Sequence, residues 1–366
     1  MPSTSRSRLT SAAGFSLLEM VISMALLTVI MGATLGGLSD VIKGNETVMM
    51  IASANNSLRG GMDLLVRDLL QVGSGLPAAH AVTIPSGVGA TPVRLPGPPG
   101  TTFQTAVTDL VLPAVVPHAG AGPVINGVAT DVLSVLMADN AFLDIGITAT
   151  TATSVVVAAG VVLDTGPDRV APGQLMMISK GSFNTLVQVT ALDPVARRLT
   201  FSDGDSLNLN QSTAASGSLA ALDAEAPANT PASMRISRVR LITYYVDDTI
   251  NVERPRLVRR INNGDPTTFD NTLGTAVAFD VSDLQFAFDI SNGTGNPGNV
   301  SMTAADLAGS GACSPDPCAP TQIRKVNVDV TGRSRNRLPP ANHFFENTLR
   351  SQVSLRGMAF VDKYRS

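Results

Sequence analysis

The chain has 366 residues, of which 44% are hydrophobic and only 15% are charged, and its formal net charge is −3. This length exceeds one typical domain of about 100–200 residues and allows a large core without help from disulfides or metals. The charged fraction is below the roughly 25% usual in soluble domains, and the balance gives no electrostatic basis for binding nucleic acid. With three His and two Cys, the composition also argues against a dense metal site.

The N-terminal region contains an uncharged segment from Met20 to Ser39. Twenty helical residues at 1.5 Å each cross the roughly 30 Å hydrocarbon layer of a membrane. Arg6 and Arg8 precede the segment, and no acidic residue occurs before Glu19. Positive charge on this side predicts a cytoplasmic N-terminus, a single span and export of everything that follows.

Glu19 is unusual because a carboxylate at the edge of an apolar span is costly and often functional. One interpretation is that its side chain reaches the polar head-group layer. The other is that it pairs with a positive charge on another chain. The flanking residues Gly14-Phe15-Ser16-Leu17-Leu18-Glu19 bear on this choice.

That run resembles the class III (type IV prepilin) signal, together with the short basic leader before it and the apolar span after it. The resemblance implies that residues 1–14 are a leader and that a prepilin peptidase cuts between Gly14 and Phe15. It also implies N-methylation of Phe15. Glu19 would then contact the new amino-terminus of a neighbouring subunit and set the assembly register. Gly32 and Gly36 offer a small-residue face for close helix approach.

Beyond Asp40, apolar residues recur at three- and four-residue spacing, which predicts one pilin helix over 15–72 with a transmembrane segment at about 15–39. The predicted buried stripe consists of Val48, Ile51, Leu58, Met62, Leu65, Leu69 and Val72. Arg59, Asp63, Arg67 and Asp68 fall off it, Gly60-Gly61 is a candidate bend, and the Gly/Pro run at 73–77 is a stop signal. The alternative is a membrane anchor followed by a simple linker.

The rest of the chain is rich in β-strand signals. Residues 73–130 read as loops with short strands, and 211–233 as a linker. Strands are predicted at 131–137, 154–163, 174–179, 184–191, 235–247, 256–261, 281–290, 323–330 and 351–360. We therefore predict an α+β pilin fold, in which the helix packs on an antiparallel sheet in a C-terminal domain at 234–366, with a Gly/Pro-rich β module and linker inserted at 73–233.

Several segments resemble those of large PilW-type minor pilins, among them MDLLVRDLLQVGSG, TDVLSVLMAD and APGQLMMISKGSFNTLVQVTALD. ITYYVDD, RPRLVRR, VSDLQFAFDIS and RSQVSLRGMAF are similar to these and to J-type minor pseudopilins of type II secretion. The resemblance implies a minor subunit acting in priming or at the tip of a filament. Its implied partners are prepilin peptidase, other pilins or pseudopilins, and an inner-membrane assembly platform.

Cys313 and Cys318, around a Pro-containing turn, predict a disulfide in an exported domain; a redox or metal site is the alternative. The polar string from Asp203 to Asn210 reads as a solvated turn, with weak Ca²⁺ binding as the alternative. Arg254, Arg256, Arg259 and Arg260 form a basic run, either a solvated strand face or a DNA-uptake surface. No catalytic constellation and no cofactor or metal site is predicted, so we expect no enzymatic activity.

The predicted function is thus a minor pilin or pseudopilin in the bacterial inner membrane, incorporated into a type IV pilus or a type II secretion pseudopilus. Two alternatives remain. One is a surface-anchored ligand-binding or adhesin protein that uses the middle β module, and the other is a tethered hydrolase.

Overall fold

The computed structural model describes residues 16–101, 103–166, 169–225, 234–263, 274–293, 295–338 and 343–358. A long helix leads into a region built mainly of antiparallel β-strands, and we call the described residues from 73 onward the head. A long N-terminal apolar helix followed by a β-rich region agrees with the predicted α+β class and with a pilin-like arrangement.

The first helix, α1, spans Leu17–Gln71 and is 55 residues long. Ser16 caps it, because its Oγ accepts a hydrogen bond from the backbone N–H of Glu19 at 3.2 Å. The helix ends where Gly73 adopts a φ of +75°, which glycine reaches without steric cost. The predicted long helix is therefore confirmed over its described residues, and it continues unbroken through Gly60-Gly61.

Two further α-helices lie among the described residues of the head, α2 (Leu219–Glu225) and α3 (Ala304–Leu307). The first strands in chain order are β1 (Ala81–Thr83), β2 (Arg94–Leu95), β3 (Phe103–Gln104), β4 (Val111–Pro113), β5 (Val115–His118), β6 (Val124–Ile125), β7 (Val128–Ala129), β8 (Val132–Ala138), β9 (Ile145–Thr151) and β10 (Ser154–Val157). They are followed by β11 (Leu175–Lys180), β12 (Phe183–Gln188), β13 (Ala191–Asp193), β14 (Arg198–Thr200), β15 (Met234–Asp247), β16 (Arg256–Ile261), β17 (Thr275–Phe279), β18 (Val281–Ile290), β19 (Ile323–Arg333) and β20 (Glu346–Ser354).

The largest sheet is organised around β15, whose two halves have different neighbours. Near its start, Ile236 lies opposite Ile145 of β9 on one side and Ile178 of β11 on the other. Near its end, Thr243 lies opposite Ser134 of β8 and Arg260 of β16. With partner strands along both edges, β15 is the centre of the head, and nearly all of its side chains are buried.

A second sheet consists of the antiparallel strands β18, β19 and β20, in that order. Val326, Val328 and Val330 of β19 are buried and alternate with half-buried polar residues. Their face packs against the C-terminal part of α1, and the same core contains Phe286 and Phe288 of β18. A sheet with one dry face and one wet face is the arrangement that this alternation predicts.

A buried carboxylate connects the two sheets. Asp131, immediately before β8, accepts hydrogen bonds from the backbone N–H groups of Gly120 at 2.6 Å and Phe286 at 2.7 Å. Burial raises the pKa of Asp131, and the two backbone donors act in the opposite direction. The contact fixes the start of β8 against β18, so the sheet of β18, β19 and β20 is held to the largest sheet.

The predicted strands agree with the structure most closely in the C-terminal part of the chain. The strands predicted at 256–261 and 281–290 coincide with β16 and β18. The strand predicted at 154–163 is wrong beyond Val157, where β10 ends and the chain enters a turn. The closing strand predicted at 351–360 begins earlier and ends earlier, as β20, and residues 359–360 lie outside the described residues.

The region predicted as a linker at 211–233 is partly structured. Helix α2 occupies Leu219–Glu225, and Leu222 is buried in a core shared with β9 to β12. Residues 226–233 lie outside the described residues. The division of the chain at 233 stays a prediction. β15, which follows this position, pairs with β8 and β11, which precede it, and with β16, which follows it.

Candidate functional site: the two halves of the first helix

The N-terminal half of α1, which we call the exposed half (residues 17–46), has every residue exposed to the surroundings. Its large apolar side chains are uncovered, as in Leu27, which is 57% exposed, and Ile30, which is 59% exposed. The helix is long and apolar enough to cross a membrane. An apolar surface of this size is stable in a membrane or against other apolar helices, but not in water.

Glu19 lies in the first turn of the exposed half. Its backbone N–H is used by the Ser16 cap, and its carboxylate has no hydrogen-bond or ion-pair partner among the described residues. Gly14 and Phe15, the predicted cleavage and methylation positions, lie outside the described residues. The positive end of the helix dipole stabilises a carboxylate at this position, and the carboxylate is open to a partner from another molecule.

The small-residue face of the exposed half is open as well. A Cβ atom placed on Gly32 or Gly36 would meet no other atom within 4 Å. Helix backbones approach each other closely at such positions in membranes, because no side chain holds them apart. The exposed half thus has an apolar surface, a flat small-residue face and, in its first turn, an acid without a partner among the described residues.

The rest of α1 (residues 47–71), which we call the docked half, packs on the head. Leu58, Leu65 and Leu69 are 1% exposed or less. The predicted stripe is confirmed from Leu58 onward but is wrong for Val48, which is 64% exposed. The head buries the stripe only from Leu58, about three turns later. Burial of these side chains supplies most of the free energy that holds helix to head.

Two glycines allow the docked half to lie close to the sheets. A Cβ atom on Gly61 would come within 2.8 Å of the Cβ of Ala278 on β17. A Cβ atom on Gly332 of β19 would come within 2.6 Å of the Leu58 side chain. Both contacts are too short for a larger residue without movement of the neighbours, so each glycine allows a close approach.

Polar contacts fix the helix at two further points. Ser57 Oγ accepts a hydrogen bond from the backbone N–H of Phe279 on β17 at 2.8 Å. Asn347 of β20 donates through Nδ2 to Asn55 Oδ1, also at 2.8 Å. Hydrogen bonds are directional, so these contacts add a defined position along the sheet to the non-directional burial.

A buried acid–base group holds the last turn of the docked half. Asp68 is 5% exposed, and its Oδ2 accepts from Tyr244 Oη at 2.6 Å and from Arg259 Nε at 2.6 Å. Burial, and next the Asp68 carboxylate, raise the pKa of Tyr244. Although burial alone would lower it, the hydrogen bond to Asp68 raises the pKa of Arg259. The prediction that Asp68 faces away from the core is wrong, because its charge is compensated inside the protein.

The basic run at 254–260 is not a solvated cationic surface. Arg254 pairs with Asp280 at 2.9 Å, Arg256 with Asp247 at 2.8 Å, and Arg259 with Asp68. The hydrogen bond that Arg254 donates to the Asp280 carboxylate raises the pKa of Arg254. These partners neutralise the charge locally, and so the run does not form the positive stripe that DNA binding requires.

Arg256 and its partner illustrate how the run is satisfied. The Asp247 carboxylate has its side chain fully buried and accepts from Thr249 as well as from both Nε and Nη2 of Arg256. Burial acts in the opposite direction, but the hydrogen bonds from Thr249 and Arg256 together lower the pKa of Asp247. The pair stays ionised and ties the end of β15 to the start of β16.

At the remaining predicted sites, the side chains make bonds within the chain. Cys313 and Cys318 are joined in a disulfide with a Cα–Cα distance of 5.6 Å, the pairing that their spacing predicts. The polar string at 203–210 is not a simple solvated turn, because Asp205 is buried and accepts from the N–H groups of Leu209 and Asn210. No group of three metal-binding side chains occurs in the part of the chain that the structure describes.

A comparison with known protein families identifies a motif in the N-terminal part of the chain. The family model for the prokaryotic N-terminal methylation motif matches residues 9–35. This segment contains Gly14, Phe15, Glu19 and the start of the exposed half. The match supports a type IV pilin-like, membrane-anchored protein, and such a class III signal implies processing by a prepilin peptidase and assembly with other pilins. No curated protein and no solved structure matches the chain.

Proposed function

We propose that this protein is a minor pilin or pseudopilin that acts in filament priming or at a filament tip. One observation carries the proposal. A continuous 55-residue helix, which begins within the methylation motif, leaves its apolar half uncovered and packs its other half on a β-rich head. A protein that had only to be anchored would need the first half alone.

The proposed assembly step follows from the position of Glu19. After cleavage at Gly14, the amino-terminus of Phe15 and the Glu19 carboxylate are four residues apart, on one face of a helix. In an apolar bundle, the carboxylate of one subunit is stabilised by the amino-terminus of the next. This pairing sets the axial register, while Gly32 and Gly36 permit close packing of the helices.

The proposed route starts in the bacterial inner membrane, with the N-terminus cytoplasmic and the head on the far side. Prepilin peptidase removes residues 1–14, and an inner-membrane assembly platform inserts the helix among those of other pilins or pseudopilins. The subunit performs no chemistry and binds no cofactor; its contribution is structural. The size of the head, larger than that of a J-type pseudopilin, favours the PilW-type assignment.

The first test removes the processing enzyme. In cells lacking prepilin peptidase, we expect the chain to keep residues 1–14, as measured by intact mass or N-terminal sequencing. Wild-type cells should yield a chain that starts at a methylated Phe15. Normal removal of the leader without the peptidase would overturn the proposal and favour an ordinary signal or a tethered protein of another class.

The second test concerns register. Glu19→Ala should lose co-purification with other pilins, because the incoming amino-terminus has no carboxylate to meet. Glu46→Ala is the matched control, since Glu46 is an exposed acid at the other end of the exposed half. Equal recovery of assembled subunit from both variants would exclude the register role for Glu19.

The third test identifies the machine. Deletion of the gene should abolish either pilus formation or export through type II secretion, and complementation by the wild-type chain should restore it. Loss of neither would contradict the structural role and support the alternative of a surface-anchored binding protein.

A further inference from the structure

The four arginines at 254–260 differ in one respect. Arg254, Arg256 and Arg259 each bind a carboxylate within the chain. Arg260 has no carboxylate partner among the described residues. Its Nη1 donates to the carbonyl of Gly97 at 3.4 Å and its Nη2 to that of Asn263 at 3.3 Å, while its buried Nε has no hydrogen-bond partner there.

Strand alternation separates Arg260 from the helix-docking arginine. Arg259 lies opposite Tyr244, on the face of the sheet that covers α1. Arg260 lies opposite Thr243 and therefore points to the other face, away from α1. The charge of Arg260 thus lies on the face away from the helix. Burial raises the pKa of Tyr245, which lies on this same face, and the Arg260 guanidinium beside its phenol acts in the opposite direction. Tyr245 is neutral, so it does not compensate the charge of Arg260.

A cavity of about 480 Å³ lies on that other face, and Arg260 is one of its walls. Arg94, an exposed residue at the start of β2, lines it as well. Ser206, Asn263 and the Pro/Gly segment at 96–100 complete it, and none of the described lining residues is acidic. An anion in this cavity would be attracted by both guanidinium groups.

The walls of this cavity are built on a packed aromatic base. Phe103 lies so close to Gly97 that a Cβ atom on Gly97 would overlap the Cδ2–Cε2 edge of the ring. The Phe103 ring also contacts that of His118, with centroids 4.9 Å apart. Burial lowers the pKa of His118 to about 4, so this imidazole is neutral at ordinary pH. The base is therefore aromatic and uncharged, and among the described lining residues the positive charge is confined to the two arginines.

We propose that this cavity binds a carboxylate, held between Arg260 and Arg94. The planar guanidinium presents a fork of N–H donors that matches the two oxygens of a carboxylate, as Arg254 and Asp280 already do within the chain. Asn263, which also lines the cavity, supplies a further polar side chain, whereas the Ser206 hydroxyl already donates to Gln188 Oε1 at 3.0 Å. The proposal is independent of filament assembly, because none of these residues touches the exposed half of α1.

The test is a binding titration with the full chain in detergent micelles. Succinate serves as a free carboxylate, an amidated peptide with two Glu residues as a protein-borne one, and inorganic phosphate as a tetrahedral anion. We expect calorimetry to detect succinate or the peptide in preference to phosphate at equal ionic strength. The tighter of the two carboxylate probes identifies the source of the ligand.

Variants locate the binding. Arg260→Gln and Arg94→Gln should each weaken carboxylate binding about tenfold or more, and Arg260→Lys should keep the charge but lose the fork geometry and part of the affinity. Arg350→Gln is the matched control, since Arg350 is 77% exposed on the other sheet and pairs with Asp329. Because Arg94 is exposed, its variant is expected to fold even if Arg260→Gln does not.

Two results would overturn the proposal. One is the absence of binding by either carboxylate probe to the folded wild-type chain. The other is a carboxylate affinity that is as high in Arg94→Gln and Arg260→Lys as in the control variant Arg350→Gln.

Discussion

The two halves of α1 have similar helical geometry but opposite surroundings. In the exposed half, Leu27 is 57% exposed, whereas Leu65 in the docked half is completely buried. Each half also carries an acid of interest. Asp68 has its hydrogen-bond donors within the head, and Glu19 has none among the described residues. The difference indicates that the docked half completes a fold, whereas the exposed half must be completed by a membrane or by other helices.

The same helix therefore supports two kinds of mutational behaviour. Changes in the docked half act on the free energy of unfolding of the head, because the contacts that they remove are inside the chain. Changes in the exposed half act on anchoring and assembly, because the contacts that they remove are with other molecules.

The largest effect is expected for the core leucine. Leu65→Ala should destabilise the head by about 2–5 kcal/mol, because a fully buried side chain is lost and a cavity remains. Leu27→Ala should change the free energy of unfolding of the head by less than about 0.5 kcal/mol. Urea unfolding of both variants in micelles, followed by circular dichroism, measures the difference. Equal midpoints would show that α1 does not contribute to the core of the head.

The next effect concerns the buried acid. Asp68→Asn should cost about 2–3 kcal/mol, since Arg259 is left without its counter-charge in a buried site. Asp63→Asn, at an exposed position one turn earlier, should stay within about 0.5 kcal/mol of wild type. The same unfolding assay compares them, and similar stabilities would mean that the Asp68 group contributes nothing to docking.

A smaller effect, with a change of sign, is expected at the adjacent glycines. Gly61→Ala should destabilise by about 1–3 kcal/mol, because its methyl group would meet Ala278. Gly60→Ala meets nothing within 4 Å and should stabilise by about 0.5–1 kcal/mol through lower backbone entropy in the unfolded chain. Thermal midpoints of the two variants on opposite sides of wild type would support the observed rotation of α1 on the sheet. Midpoints on the same side would contradict it.

The smallest effect on the head is expected for Glu19→Ala, with a change of less than about 0.5 kcal/mol in unfolding. Its carboxylate contacts no described residue, so the head does not depend on it. A clear loss of head stability, measured beside the assembly assay, would mean that Glu19 contacts the head and that the separation of the two halves is incomplete.

The sequence predicted the features that depend on regular patterns. Strict alternation around Val326 and Val328 identified a strand with one buried face, and heptad-like spacing identified the docked helix from Leu58 onward. The apolar span could be identified because length and absence of charge are properties of the chain itself. These signals are local, so one sequence was sufficient.

The features that it missed depend on contacts between distant residues. Asp68 appeared to be a surface acid because its partners, Tyr244 and Arg259, are far away in the chain. For the same reason the arginines at 254–260 appeared to form a surface patch, although three of them have carboxylate partners. β9 (IGITATT) and β17 (TAVAF) were also missed. Both contain β-branched residues, but neither shows the strict apolar–polar alternation that marked β19, and pairing with neighbouring strands defines them.

The Asp68 group also has a mechanical consequence. Its carboxylate joins the last turns of α1 to Tyr244 of β15 and to Arg259 of β16, two neighbouring strands of the largest sheet. A pulling force on the N-terminal part of the helix would therefore reach the middle of that sheet, and several inter-strand hydrogen bonds would share the load. Such a connection suits a helix that is held at one end while the head is pushed or pulled at the other.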